Sequence, residues 1–186
     1  MSDRPATICR IEMLNAKAHA APLFEALHGP RNAALWRYLR EDPAETVAAL
    51  LRRLTDWTAL PHVRAHVFLS ATGEMLGMGA RLHRQFHDHP ELRPGPYVEL
   101  AAIVFRLCDH GTGLPQLGVA QLVSLALSDR GVNGCLWRCA TDNIASDRFA
   151  RKLGFRHYAT APDGIAKGMA RHSHFYVLER PGFIPA

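Results

Sequence analysis

Residues 131–155, GVNGCLWRCATDNIASDRFARKLGF, hold a strand, a helix and the start of a second strand. The segment Gly134–Ala140 is apolar and rich in Cys, Leu and Trp, long enough for a strand and too short for a helix. Asp142 and Asn143 break it with residue types that cap helices. From Ile144 to Leu153 the pattern turns helical: Phe149 and Leu153 lie four apart on one face, with Ala145, Ala150 and Arg151 beside them. Gly154 stands where a helix stops in the left-handed conformation, and Phe155 opens a new apolar run, FRHYA. A chain built around such a unit is α/β.

Upstream, residues 97–105, YVELAAIVF, form the strongest strand, central because its apolar character is nearly continuous. Glu99 is the one charge within it. A carboxylate in a buried strand is costly unless paired or used, so Glu99 is either a functional group or a strand-end residue ion-paired to Arg or His. Alternation puts it on the face of Tyr97, Ala101, Ile103 and Phe105. Next comes the turn Gly111-Thr112-Gly113, directly before a helix with Pro115 in its first turn that runs to about Asp129. A glycine-rich turn from strand to helix leaves N–H groups pointing outward at the positive end of a helix, a seat for a pyrophosphate. The turn comes too late in the chain for a dinucleotide-binding GxGxxG, and both GxxxxGK[ST] and GxSxG are absent.

The N-terminal half reads as a first strand over 8–13, with Cys9, Ile11 and Met13 alternating against Arg10 and Glu12. Two short helices follow over 19–28 and 31–40, separated by Gly29-Pro30. In a third, Asp42 caps, Pro43 takes the first turn and Glu45 completes a capping box; Val47, Leu50, Leu51, Leu54 and Trp57 then recur at helical spacing. Runs over 63–69 and 75–82 pair as a hairpin, and Gly77 and Gly79 in the second run predict a bulge or a close backbone approach. Residues 83–96 read as a loop kept extended by Pro90, Pro94 and Pro96. Its His83, His87 and His89 raise the question of a metal, but an exposed histidine-rich loop needs none, and no metal is expected. Residues 159–168 read as a loop and 170–179 as a final strand.

At 186 residues the chain fits one domain over 1–186, with 48% hydrophobic and 21% charged residues. The formal charge of +5 raises nucleic acid as a partner, yet 22 basic residues are interspersed with 17 acidic ones and no aromatic–basic stripe occurs. Nucleic acid is therefore not expected. Cys9, Cys108, Cys135 and Cys139 form no CxxC pair and read as small core residues in a reducing compartment. No signal region and no membrane-length apolar run is seen, which points to a cytoplasmic protein without membrane contact.

Asn143-x-x-Ser146 followed by Lys152-Leu153-Gly154-Phe155 resembles the C-terminal signature of the GNAT N-acetyltransferases. Trp137-Arg138-Cys139 before it, and His172-Ser173-His174-Phe175-Tyr176 after it, are most similar to the RimJ/RimL-like branch. The resemblance implies an α/β GNAT (acyl-CoA N-acyltransferase) fold: a central, mixed, mostly antiparallel twisted sheet flanked by helices. It also implies direct transfer of an acetyl group from acetyl-CoA to a primary amine, either a protein N-terminus or a small-molecule amine.

Residue by residue, the resemblance puts the cofactor between the strands over 97–105 and 134–140, which diverge in this fold. Backbone groups around Ile103, Val104 and Phe105 would hold the pantetheine arm. Arg106, His110, Gly111, Thr112, Gly113 and Leu114 would form the pyrophosphate loop, and Asn143, Ser146 and Arg148 would contribute from the second strand and its helix. Glu99 stands where the branch carries a recurring Glu and is the implied base. Three positions depart from the pattern. Cys108 replaces the Gln or Arg of the phosphate loop, leaving Arg106, His110 or Arg148 to supply charge. Ala150 replaces the Tyr that in many members protonates the thiolate, leaving Ser146 or a water. His172 replaces the Asp of Arg-Asp-Thr. These departures motivate one alternative, a non-catalytic acyl-CoA-binding protein that keeps the fold. A homodimer stays open.

Overall fold

The computed structural model describes residues 8–86, 92 and 94–180. In chain order the elements are β1 (Cys9–Met13), α1 (Ala16–Leu27), a 3-10 helix (Pro30–Trp36), α2 (Val47–Thr58), β2 (Val63–Ser70), β3 (Met75–Phe86), β4 (Gly95–Phe105), α3 (Leu114–Ser128), β5 (Gly134–Ala140), α4 (Ile144–Lys152), β6 (Arg156–Ala166) and β7 (Met169–Glu179). The strands form one mixed sheet in the order β1-β2-β3-β4-β5-β7-β6. β1 runs antiparallel to β2, β4 parallel to β5, and β7 antiparallel to both β5 and β6. The chain divides into two compact units, residues 1–80 with 102–121 and residues 81–101 with 122–186.

In the first unit, Leu23, Leu27, Leu54, Val67, Phe68 and Val119 are buried, and the rings of Phe68 and Phe105 stack with centroids 4.4 Å apart. A Cβ at Gly77 would sit 2.1 Å from the carbonyl oxygen of Val104, so β3 tolerates no side chain there. The close approach anticipated from the glycines is real. Two helical expectations change. α1 starts earlier, capped by Asn15, whose side chain accepts from the N–H of Ala18. Beyond it, 31–40 is not an α-helix. Asn32 donates to the carbonyls of Ala26 and His28, and the Trp36 indole donates to that of Leu27, so side chains satisfy the end of α1 and the backbone closes into a 3-10 helix instead. Thr46, not Asp42, caps α2: its hydroxyl accepts from the N–H of Ala49 at 3.1 Å.

In the second unit, β5 and α4 fall where the sequence puts them, and Asn143 caps α4 by accepting from the N–H of Ser146 at 3.1 Å. The segment read as a loop over 159–168 is a strand. β6 runs to Ala166 with register shifts between His157 and Ala159 and between Pro162 and Ile165, bulges that absorb the Pro-Asp-Gly signal. Lys167 and Gly168, both at positive φ, turn the chain into β7. β3 likewise continues past Leu82 to Phe86. His87, His89 and Pro90 lie outside the described residues.

Candidate active site

The glycine turn belongs to the first unit. Gly111 (φ 81°) and Gly113 (φ 89°) both occupy the left-handed region, and a Cβ at either would meet open space. Backbone conformation, not crowding, requires glycine there. Among the described residues none accepts from the N–H of Gly111 or Gly113. Thr112 fixes the turn: its hydroxyl donates to the carbonyl of Asp109 at 2.7 Å and accepts from the N–H of Leu114 at 3.2 Å. Nε2 of His110 donates to the carbonyl of Phe105 at 3.3 Å, tying the turn to the end of β4. The turn is a braced loop at the start of a helix, with backbone N–H groups left without an acceptor among the described residues.

Of the three proposed charge donors, Arg106 is committed elsewhere. Its guanidinium donates to both oxygens of Asp109, at 2.7 and 3.1 Å, and to Glu74. These carboxylates raise its proton affinity, and Asp109, the largest contributor, is itself buried. Arg106 therefore holds the turn together. Arg148 is exposed on α4, and among the described residues no carboxylate pairs with it. Cys108 is exposed and lines an open groove of about 560 Å³ with Glu25, Arg31, Glu74 and Arg106.

Ile103, Val104 and Phe105 lie just beyond Ala102, a non-glycine residue at φ 49° inside β4. That conformation costs about 1 kcal/mol or more and marks a place where the strand is re-aimed. An alanine carries no sequence signal for it.

Glu99 lies in the second unit, where β4 pairs with β5 over Val98–Cys135, Glu99–Leu136 and Leu100–Trp137. It is buried, and both its oxygens are engaged: Oε2 by Nε of Arg84 at 3.1 Å, Oε1 by Nη2 of Arg138 at 2.8 Å. Each carboxylate oxygen keeps a further lone pair. In the same unit Leu92, Tyr97, Leu136 and Val177 form an apolar cluster, with Tyr158 packed against it. Burial, reinforced by the charge of Glu99, pushes the Tyr158 hydroxyl up to about 12.

Ser146 lies in the first turn of α4 in the same unit. Its hydroxyl oxygen accepts from the indole N–H of Trp137 at 3.0 Å, which leaves its own proton to donate. Trp137 packs against Phe149 and Phe155, so β5 turns this residue toward α4 and, by alternation, Arg138 away from it. Cys139 lies beside Ser146 and Tyr176, and burial raises its thiol. The phenol of Tyr176 donates to Asp147, one residue from Ser146.

The protein-family model for an acetyltransferase (GNAT) domain matches residues 10–156. The chain belongs to the GNAT acetyltransferase family. Among solved structures, a probable GNAT-family acetyltransferase from Chromobacterium violaceum is 23% identical, with 96% of this chain and 93% of that one covered at a TM-score of 0.78. An acetyltransferase from Salmonella typhimurium that modifies the N-terminal serine of ribosomal protein L7/L12 is 13% identical over 94% and 96% of the two chains, TM-score 0.77. Spermidine N-acetyltransferase from Vibrio cholerae, solved with CoA and spermine, is 12% identical over 92% and 95%, TM-score 0.71. At these identities the likeness is one of fold. Among curated proteins none matches the sequence.

In this GNAT acetyltransferase the residues expected from sequence fall into two groups. His110, Gly111, Thr112, Gly113 and Leu114 share one turn with Arg106 in the first unit. Glu99, Asn143, Ser146 and Arg148 belong to the second. Arg84, Arg138 and Asp163 escaped sequence reasoning. Arg138 did leave a trace, since it is a lone charge in an otherwise apolar strand, as Glu99 is in β4. Among the described residues no group of His, Cys, Asp and Glu is placed to hold a metal ion, and no helix is long and apolar enough to cross a membrane.

Proposed function

We propose that this acetyltransferase transfers an acetyl group from acetyl-CoA directly to a primary amine, a protein N-terminus or a small-molecule amine, in the manner of the RimJ/RimL-like branch. The observation that carries the reading is the turn at Gly111-Thr112-Gly113, whose left-handed glycines and N–H groups without an acceptor among the described residues suit the cofactor's pyrophosphate. The solved relatives support the acceptor classes in kind, one modifying a protein N-terminus and one crystallised with spermine.

Acetyl-CoA would supply the activated acetyl group; the chain's own groups hold it and manage protons. In the transfer the C–S bond breaks, an N–C bond forms, and the ammonium nitrogen loses two protons, one to the base and one that makes good the proton passed to the departing sulfur. Backbone N–H groups of Ile103–Phe105, re-aimed by Ala102, are suited to polarise the carbonyl. Glu99, through a free lone pair and directly or by way of water, accepts from the amine. The Ser146 hydroxyl, its oxygen held by Trp137, donates. Positioning supplies much of the rate, so Glu99 need not be a strong base.

Calorimetry with acetyl-CoA on the wild type and on the Gly111→Glu, Gly113→Glu double variant tests the turn. Micromolar binding that the variant loses supports the reading. A folded, monodisperse wild type that binds no acetyl-CoA removes it. An amine panel scored by CoA release, with Glu99→Gln as control, then finds the acceptor.

A further inference from the structure

On the face of the second unit's sheet turned away from α4, side chains from five neighbouring strands join in one ion-pair network: Arg84 (β3) and Arg138 (β5) both on Glu99 (β4), and Arg138 and Arg171 (β7) both on Asp163 (β6). Arg138 stands at the centre. While Nη2 faces Glu99, its Nη1 donates to Oδ1 of Asp163 at 2.6 Å. Asp163 is itself fixed, by the Ser173 hydroxyl at 2.8 Å and by Arg171 Nε at 3.7 Å. Glu99 and Asp163 are 9% and 7% exposed in their side chains, Arg138 26%, and Arg84, the other partner of Glu99, 42%.

A guanidinium is a rigid planar fork. Pinned at one amino group by Asp163, it presents the other in one direction only. Arg84, more exposed, constrains Glu99 less. A buried ion pair is also a poor way to gain stability, because apolar residues of similar volume often serve as well. Two carboxylates and an arginine in the interior of this sheet therefore point to the geometry they impose.

We propose that Arg138 is a positioning residue of the acetyl transfer: locked by Asp163, it fixes the direction of the Glu99 carboxylate and so of the lone pairs left for the acceptor amine. This rests on the reading of Glu99 as the base. The groups facing Glu99 are Arg84 from β3, Arg138 from β5, Tyr158 from β6 and Tyr97 on its own strand.

The test is kcat and KM for acetyl-CoA and for the best amine of the panel. It compares wild type, Glu99→Gln, Arg138→Gln, Arg138→Lys and the Glu99→Gln, Arg138→Gln double variant. In Arg138→Gln kcat falls about tenfold or more while KM for acetyl-CoA holds. Arg138→Lys recovers part of the rate. The double variant is no slower than Glu99→Gln alone, the sign of two residues acting as one. Effects that multiply in the double variant, or a wild-type kcat in Arg138→Gln beside an impaired Glu99→Gln, overturn the positioning role and leave the base. A wild-type rate in Glu99→Gln removes the base, and the positioning role with it. Should Arg138→Gln not fold, Arg138→Lys carries the comparison: a kcat lowered on its own but not on top of Glu99→Gln supports the role, and an unchanged kcat refutes it.

Discussion

His28 is buried with its ring stacked on Phe24, centroids 5.0 Å apart, and tilted against Trp36 at 4.4 Å. A carbonyl can only accept, so the Nδ1 facing Ala44 O at 3.2 Å carries the proton. Burial lowers the pKa of this ring; the Ala44 hydrogen bond opposes the shift and Arg53 adds to it. A folded-state pKa below the unfolded one leaves stability intact above the unfolded value, about 6.5, and removes it as pH falls through that value toward the folded one. Tm should therefore drop between about pH 7 and pH 5, and His28→Gln should flatten that part of the profile; a slope unchanged in the variant assigns it to other groups. The cysteines divide in the same way. Burial pushes the thiols of Cys9 and Cys135 up to about 11 and about 12 and also raises Cys139, while Cys108 is exposed. Brief alkylation near neutral pH should label Cys108 alone, and all four after denaturation, as read by mass spectrometry.

Among elements, α2 offers a direct comparison. Thr46→Ala should cost about 1 kcal/mol in chemical denaturation, the ordinary loss of a helix cap, whereas Asp42→Ala removes no cap. Equal losses would restore the capping box that the sequence suggested. That error and the accuracy at α4 have one cause. Asn143, Phe149, Leu153 and Gly154 make the signals of α4 local, and nothing distant competes with them. Residues 31–40 carry a helical pattern, but Trp36 and Asn32 reach back to α1 and settle the backbone otherwise. The Pro-Asp-Gly of β6 looked like a loop because a bulge uses the same residues as a turn. Asp163 sits in that bulge, so the partner of Arg138 lay hidden in a segment read as irregular. Glu99 was legible as a charge out of place, and the alternative that paired it with arginine describes its contacts. Ala102 left no mark, since strain at an alanine is imposed by its neighbours.

At the scale of the whole molecule the fold was legible and the acceptor was not. The motif around Gly154 and the glycine turn carry the family, while the acceptor depends on side chains from distant segments that composition does not reveal. The charge of +5 says little beyond solubility and attraction for an anionic cofactor. A prediction at this scale concerns fragments. Each compact unit is assembled from two separate stretches of chain, one ending at Ala80 and resuming at Ala102, the other ending at Ala101 and resuming at Leu122. Residues 1–80 or 122–186 expressed alone should give flat near-ultraviolet circular dichroism and no cooperative melting; a folded fragment would show that one stretch suffices. β3 and β4 each begin in one unit and finish in the other, so the polypeptide passes back and forth before either is complete. A ribosome releasing this chain in order has finished neither unit until it has translated well into the second stretch of each. Nascent chains shorter than about 120 residues, which complete neither unit, should be the ones that need a chaperone.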